Sequence, residues 1–174
     1  EAKYLTSFVH EMFLAAGCPP ETAGLVAGSL VRTNLAGHDS HGVVRVPQYL
    51  DAIRSGSADP RAEPKIVHET AVVDKVDACR SLGQVGANMA VRVAIEKAQE
   101  TQLAMVGLVN CNPIGRLGEW VEIAANEGFA ALGFCNGGRN GGLVTPHGGS
   151  ERRLGTNPFA SAFPIPDHGP VVAD

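Results

Sequence analysis

The sequence has no C-x-x-C pair, and its four cysteines are widely separated, at Cys18, Cys79, Cys111 and Cys135. This spacing argues against a zinc ribbon and against a dense disulfide framework. The metalloprotease pattern H-E-x-x-H is also missing. We therefore expect reduced thiols in a cytoplasmic protein.

Long apolar runs and basic runs are absent as well. No stretch approaches the roughly 20 apolar residues of a membrane-spanning helix, and the N-terminal EAKYLTSFVHEMF lacks the apolar core of a signal peptide. The net charge is −4 with neutral histidines, so we expect neither nucleic acid nor a membrane as a partner. With 44% hydrophobic and 18% charged residues, the composition is that of a globular chain.

The order of the predicted elements changes from helical to mixed along the chain. Apolar residues at helical spacing predict three helices within residues 1–56, and the polar stretch 57–64, with two prolines, is interpreted as a linker. Residues 65–174 are predicted to form an α/β domain whose helices cover the sheet faces. Its predicted elements are strands at 65–68, 71–76, 103–109, 129–134 and 159–163, and helices at 87–101 and 117–126. The strands at 103–109 and 129–134 are predicted to be buried, because their apolar runs are continuous. The chain stops on a strand that has just begun, so we expect it to be the first part of a longer protein.

The stretch HDSHGVVRVPQYL, residues 38–50, places titratable side chains just before a helical pattern. Pro47 fits only the first turn of a helix, so the regular helix should start no earlier than about Val44. His41 and Arg45 then lie at the helix start, where free amides and the helix dipole favour an anion. Because arginine can clamp a carboxylate and histidine exchanges protons near neutral pH, the stretch predicts a carboxylate site.

Two other interpretations of this stretch stay open. Asp39 or Ser40 can cap the helix and leave the other polar groups as solvated surface. Alternatively, His38, Asp39 and His41 can serve a metal-dependent hydrolase, although Pro47 argues against the regular helix that would bring ligands three residues apart together.

Five motifs, taken in order, resemble the malate/L-lactate dehydrogenase family, which is distinct from the Rossmann lactate and malate dehydrogenases. They are DSHGVVRVPQY at 39–49, LGQVG at 82–86, IGRLGEW at 114–120, PHGG at 146–149 and LGTNP at 154–158. The third is similar to the hydroxycarboxylate dehydrogenase subgroup. Each motif alone is weak evidence for the family, but five motifs in this order are specific. Together they span nearly the whole chain.

The resemblance implies hydride transfer between NAD or NADP and a small 2-oxo or 2-hydroxy acid, or a cyclic imino acid, in a homodimer. It implies His41 as the proton donor and Ser40 as its relay neighbour, with an orienting aspartate that lies after residue 174. Arg45, Thr156 and Asn157 are implied to bind the substrate.

The resemblance also explains how a chain without the G-x-G-x-x-G fingerprint can bind a dinucleotide, because this family does so on a non-Rossmann fold. The implied contacts lie on the turn at 114–118, on the glycine-dense loop after Phe134 and at the chain end. They are Ile114, Gly115, Arg116, Leu117, Gly118, Gly137 and Asp174. Backbone amides in such turns can face an anion, although ordinary turns explain the glycines equally well. No residue identifies NAD over NADP, and no metal is expected.

Two positions depart from the family pattern. Pro113 stands where most members have a histidine, and proline carries no proton, so either His41 alone is the acid or activity is altered. Gly137 stands where many relatives have a cofactor-binding serine. A non-catalytic relative that binds a nucleotide or metabolite is therefore the second hypothesis.

Overall fold

The computed structural model describes residues 1–137 and 142–174, which form a layer of helices followed by two small sheets. The helices are α1 (Ala2–Ala15), α2 (Pro20–Leu35), α3 (Val46–Arg54), α4 (Gly83–Thr101) and α5 (Leu117–Asn126). The strands are β1 (Lys65–Glu69), β2 (Val73–Asp77), β3 (Met105–Val109), β4 (Ala131–Phe134), β5 (Phe159–Ile165) and β6 (His168–Ala173). The predicted α/β class is confirmed. None of the helices in these ranges combines the length and the apolarity needed to cross a membrane.

The helical layer is built around one apolar core. Phe13 of α1 and Leu30 of α2 are fully buried, and the ring of Tyr49 meets that of Phe13 edge-on, with centroids 6.3 Å apart. Ala58, within the predicted linker, and Leu82 pack into the same core. The domain boundary at 57–64 stays a prediction.

The first sheet has the strand order β1-β2-β3, in which β1 and β2 are antiparallel and β2 and β3 are parallel. Helix α4 connects the parallel pair and packs against both of its strands. The buried carboxylate of Asp74 on β2 lies 3.2 Å from the amine of Lys97 on α4. This ion pair ties the helix to the sheet.

Helix α4 begins at Gly83, whereas the sequence predicts its start at residue 87, so that prediction is wrong. A Cβ at Gly83 would overlap the carbonyl oxygen of Pro113, and one at Gly86 would lie 2.8 Å from the Cβ of Ala78. The two glycines therefore let the first helical turn lie directly on the neighbouring backbone. Their low helix propensity is offset by this close packing.

Replacing Gly83 with alanine is expected to destabilise the fold. The gain in helix propensity is about 1 kcal/mol, whereas overpacking costs about 1–3 kcal/mol, and the carbonyl that blocks the methyl group is backbone. We expect a net loss of about 1 kcal/mol in the free energy of unfolding, measured with urea. The control is Gly24→Ala on α2, where the nearest atom is 4.0 Å away and the same change should stabilise. Equal stability of the two variants would contradict the packing argument.

The second sheet is antiparallel, with the strand order β4-β5-β6. Its inner face packs on α5 through the fully buried Ala160 and Ala162. Its outer face leaves large apolar side chains exposed, namely Leu132, Phe134, Phe159, Phe163 and Val171. The predicted burial of the strand at 129–134 is therefore wrong, since Phe134 is 75% exposed. The predicted burial of the strand at 103–109 is wrong as well, since Met105 is 66% exposed. A continuous apolar run fits a strand covered on both faces, but within the described ranges only one face is covered.

Candidate functional site

Two 3₁₀ turns, Asp39–His41 and Val43–Arg45, lead into α3. The helix begins at Val46 with Pro47 in its first turn, which confirms the predicted start. Neither turn, nor α3 itself, has a side-chain hydrogen bond at its N-cap. The interpretation of this stretch as a helix cap is therefore wrong.

The side chains of Ser40 and His41 form a pair at this helix start. The Ser40 hydroxyl lies 2.9 Å from Nδ1 of His41. Both residues are exposed. With Nδ1 held by the serine, Nε2 is the nitrogen left for a proton transfer.

The pKa of His41 is lowered from its ordinary value. Although the residue as a whole is exposed, the surrounding protein partly shields its ring from water, and this shielding is the main cause. The positive charges of Arg45 and His38 add to it, while the negative charge of Asp174 acts in the opposite direction. His41 is therefore mainly neutral at pH 7, and its proton is easily given up once acquired.

Arg45 is exposed, and its orientation is fixed by two hydrogen bonds. Its Nε donates to the carbonyl of Ser40 at 2.6 Å and its Nη1 donates to the side chain of Gln48 at 3.1 Å. Within residues 1–137 and 142–174, Nη2 has no protein partner. One edge of the guanidinium is thus left for a carboxylate.

Asn34, near the end of α2, is a residue that the sequence analysis missed. Its amide nitrogen donates to the carboxylate of Asp39, and its amide oxygen accepts the N–H of Val43 at 2.8 Å. A Cβ at Gly42 would overlap this amide, which explains the glycine in the motif. The only sequence signal was an asparagine near a helix end, a position that asparagine often takes.

The predicted cofactor turn leads into α5, and the start of that helix already holds a carboxylate. The N–H of Gly118 donates to Asp174 at 2.7 Å. Nη2 of Arg116 donates to Glu122 at 2.5 Å, whereas Nε of Arg116 is buried without a protein partner among the described residues. The anion favoured by this helix start is therefore the chain's own aspartate.

The other residues of this turn are packed inward. The carbonyl of Ile114 accepts the indole N–H of Trp120 at 3.1 Å, and Leu117 is buried. Gly115 has a φ of +78°, and a Cβ there would lie 3.7 Å from the hydroxyl of Ser29. The turn rests on the helical layer.

Asp174 lies between the predicted cofactor turn at the start of α5 and the stretch that carries His38 and His41. Besides the amide of Gly118, its carboxylate faces Nδ1 of His38 at 3.6 Å. Its charge also raises the proton affinity of His41. An orienting aspartate beyond residue 174 stays a prediction, but an aspartate that acts on His41 is present within the chain.

Gly137 and Thr156 are neighbours through their backbones. The N–H of Gly137 donates to the carbonyl of Thr156 at 2.9 Å, and a Cβ at Gly137 would lie 2.9 Å from that oxygen. This crowding leaves little room for a side chain at position 137. Thr156 and Asn157 are exposed, and no hydrogen bond among the described residues joins them to His41. Residues 138–141 of the glycine-dense loop, to which cofactor contacts were also predicted, lie outside the described residues.

Pro113 holds a fixed backbone position. Its carbonyl accepts the hydroxyl of Tyr49 at 3.0 Å, and that hydroxyl accepts Nε2 of Gln84 at 2.9 Å. Burial raises the pKa of Tyr49 to about 12 and that of Cys111 to about 12. Both groups stay protonated near neutral pH, so neither is suited to exchange protons in place of the histidine that the family resemblance implies at position 113.

Metal-binding groups are dispersed in the part of the chain that is described. No three side chains of histidine, cysteine, aspartate or glutamate there are arranged to hold a metal ion. Asp39 is bonded to Asn34, and His38 faces Asp174. These contacts of Asp39 and His38 do not support the hypothesis of a metal-dependent hydrolase.

A buried carboxylate joins the helical layer to the start of α5. Glu119 accepts the hydroxyl of Ser29 at 2.6 Å, and Nε and Nη2 of Arg32 at 3.0 and 2.6 Å. The side chain of Glu119 is 5% exposed, and that of Arg32 is 56% exposed. Ser29 and Arg32 lie on α2, so this cluster fixes α2 against α5.

Known proteins are similar to this chain over its whole length. The profile of the malate/L-lactate dehydrogenase family matches residues 1–174. Hydroxycarboxylate dehydrogenase B of Escherichia coli O157:H7 is 38% identical over all of this chain and 48% of its own length. A Δ1-pyrroline-2-carboxylate/Δ1-piperideine-2-carboxylate reductase of Pseudomonas putida is 32% identical over 98% of this chain and 49% of its own.

The fold is similar to solved structures as well. The malate dehydrogenase of Pyrococcus horikoshii OT3 superimposes with a TM-score of 0.93 at 35% identity, covering 99% of this chain and 48% of that one. The chain thus spans about half the length of the relatives it matches. Together with the motifs at the start of α3 and α5, these matches show that the chain belongs to the malate/L-lactate dehydrogenase family.

Proposed function

We propose that this chain carries the proton-donor and carboxylate-binding part of an NAD(P)-dependent 2-hydroxy acid dehydrogenase or cyclic imino acid reductase. The observation that carries the proposal is the Ser40–His41 pair, which stands beside a free edge of Arg45 at the start of α3. The relatives support the substrate class, because their names are those of enzymes that act on hydroxycarboxylates, malate or cyclic imino carboxylates.

His41 and Arg45 have distinct roles in this reaction. Arg45 binds the substrate carboxylate and so orients the neighbouring carbonyl or imine. As hydride reaches the carbonyl carbon, the electron pair of the double bond moves to oxygen, and His41 gives that oxygen its proton. In the reverse direction neutral His41 accepts the proton of the hydroxyl. Ser40 holds Nδ1 throughout, so Nε2 exchanges the proton.

The start of α5 fits a nucleotide whose phosphate replaces the carboxylate of Asp174 at the amide of Gly118. It combines the positive end of the helix dipole with the mostly buried guanidinium of Arg116, whose Nε lacks a partner among the described residues. Arg116 and the backbone of 114–118 would hold the nucleotide, and when bound it supplies or accepts the hydride. The proposal leaves the choice between NAD and NADP to experiment. Its homodimeric assembly and cytoplasmic location rest on the family resemblance and on the reduced cysteines alone.

The test is oxidation of NADH or NADPH by the full-length polypeptide with a panel of substrates. Pyruvate, oxaloacetate, a sulfonated 2-oxo acid and Δ1-piperideine-2-carboxylate cover the chemistry of the relatives. Turnover with at least one is expected. Nucleotide binding measured by calorimetry without any turnover would instead favour a non-catalytic relative. Pro113 supports this second candidate, because a proline cannot transfer protons and its carbonyl is already bonded to Tyr49.

The pH dependence of the two directions should differ in a defined way. Because the pKa of His41 lies below its ordinary value, protonated His41 is lost at unusually low pH. We expect kcat/KM for reduction to fall as pH rises through this lowered pKa, and kcat/KM for oxidation to rise through the same value. His38→Gln removes one of the positive charges that lower the pKa of His41, so it should move the pH dependence of both directions to higher pH. Transitions in kcat/KM at or above the ordinary histidine pKa would contradict the assignment of His41 as the proton donor.

A further inference from the structure

The side chain of Asn34 contacts the turn that carries Ser40 and His41 at three places. It donates to the carboxylate of Asp39 before the pair, and it accepts the N–H of Val43 after the pair at 2.8 Å. Between them, the backbone of Gly42 lies directly on its amide. One planar amide therefore fixes the backbone on both sides of His41.

The position of Asn34 is itself fixed. It lies two residues after Arg32 on α2, which is bonded with Ser29 to the buried Glu119 of α5. The amide of Asn34 does not cap its own helix, because the last carbonyls of α2, those of Arg32, Thr33 and Asn34, accept backbone N–H groups of the residues that follow. The amide nitrogen and the amide oxygen of Asn34 both bond to the following turn, at Asp39 and Val43. The turn is thereby held at a set distance from the start of α5.

We propose that Asn34 is a positioning residue for the proton donor: it holds the turn at 39–43 so that Ser40 meets Nδ1 of His41 and Nε2 faces the substrate. Its part in catalysis rests on the proposed function, whereas its hold on His41 can be measured without turnover. The charged groups that face His41 are Arg45, His38 and Asp174.

The test is an NMR titration of the His41 ring in the full-length protein, assigned by its absence in His41→Gln. The variants are Asn34→Ala, Asn34→Asp and the exchange Asn34→Asp/Asp39→Asn. Asn34→Ala frees the turn, so the ring gains water and its pKa should rise towards the ordinary histidine value. Asn34→Asp sets a second carboxylate against Asp39 and should open the turn further.

The exchange variant should restore the lowered pKa, because the amide at 39 donates to the carboxylate at 34, which still accepts the N–H of Val43. Asn126→Ala is the control, since Asn126 is also an asparagine near the end of a helix but is exposed. A role confined to stability would lower the melting temperature without moving the His41 titration. If Asn34→Ala does not fold, the comparison of Asn34→Asp with the exchange variant decides.

In the full-length enzyme, Asn34→Ala should lower kcat by about 10²-fold, the effect of misplacing a reacting group by about 1 Å. The KM for the nucleotide should stay nearly unchanged, and the exchange variant should recover most of the loss. An unchanged His41 titration in folded Asn34→Ala overturns the proposal. A wild-type protein without turnover, whose titrations still shift as described, overturns the proposed function and leaves the hold on His41 standing.

Discussion

Replacing His41 with alanine is expected to lower kcat for reduction of the preferred 2-oxo acid by about 10²–10⁴-fold, the usual contribution of a positioned acid. The reason is that negative charge grows on the carbonyl oxygen during hydride transfer, and the Ser40–His41 pair beside Arg45 is the proposed proton source. The measurement is steady-state oxidation of the reduced nucleotide.

Two controls separate this effect from general damage. The Kd of the nucleotide, measured by calorimetry, should be nearly unaltered, because His41 lies on the start of α3 and the nucleotide is proposed to bind at the start of α5. His38→Ala changes a neighbouring histidine of the same stretch and should retain most of the turnover. Full activity of His41→Ala would remove His41 as the proton donor.

Replacing Arg32 with alanine is expected to lower the free energy of unfolding by about 3 kcal/mol, the low end for breaking a buried ion pair by removing one partner. The low end applies because the guanidinium is 56% exposed, whereas the carboxylate of Glu119 that loses its partner is 5% exposed. Only the hydroxyl of Ser29 would remain to stabilise that carboxylate. Urea unfolding followed by circular dichroism measures the change.

The matched control is Arg54→Ala, which breaks an ion pair with Asp51 in which both side chains are more than 70% exposed. Such pairs contribute about 0–1 kcal/mol, so this variant should remain close to the wild type. The double variant Arg32→Ala/Glu119→Gln should recover part of the loss, since a neutral amide needs no counter-ion. If Arg32→Ala and Arg54→Ala are equally stable, the cluster does not hold α2 against α5.

Local rules predicted a good part of the fold. The bounds of α5, Leu117–Asn126, follow from apolar spacing alone, and the start of α3 follows from the missing N–H and the ring of Pro47. The proximity of Ser40 to His41 is built into the sequence because the two residues are adjacent. Each of these features depends on residues within one or two helical turns.

The features that sequence reasoning missed depend on residues far apart in the chain. The burial of Glu119 depends on Ser29, 90 residues earlier, and the amide of Gly118 meets Asp174, 56 residues later. Helix α4 begins early because Gly83 rests on the backbone at Pro113, a contact that no local pattern records. The apolar run of β4 gives no information on whether one or both faces of its sheet are covered.

The carboxylate of Asp174 links the start of α5 to the protonation of His41. It bonds the amide at the start of α5 and also raises the proton affinity of His41. If the nucleotide binds at the start of α5 as proposed, its phosphate would compete with Asp174 for this amide, and moving that carboxylate would change how tightly His41 holds its proton. Thermodynamic linkage would make the effect mutual, so the protonation of His41 would change the nucleotide affinity by the same factor. Nucleotide binding would then be accompanied by uptake or release of protons, in an amount that depends on the pH of the buffer.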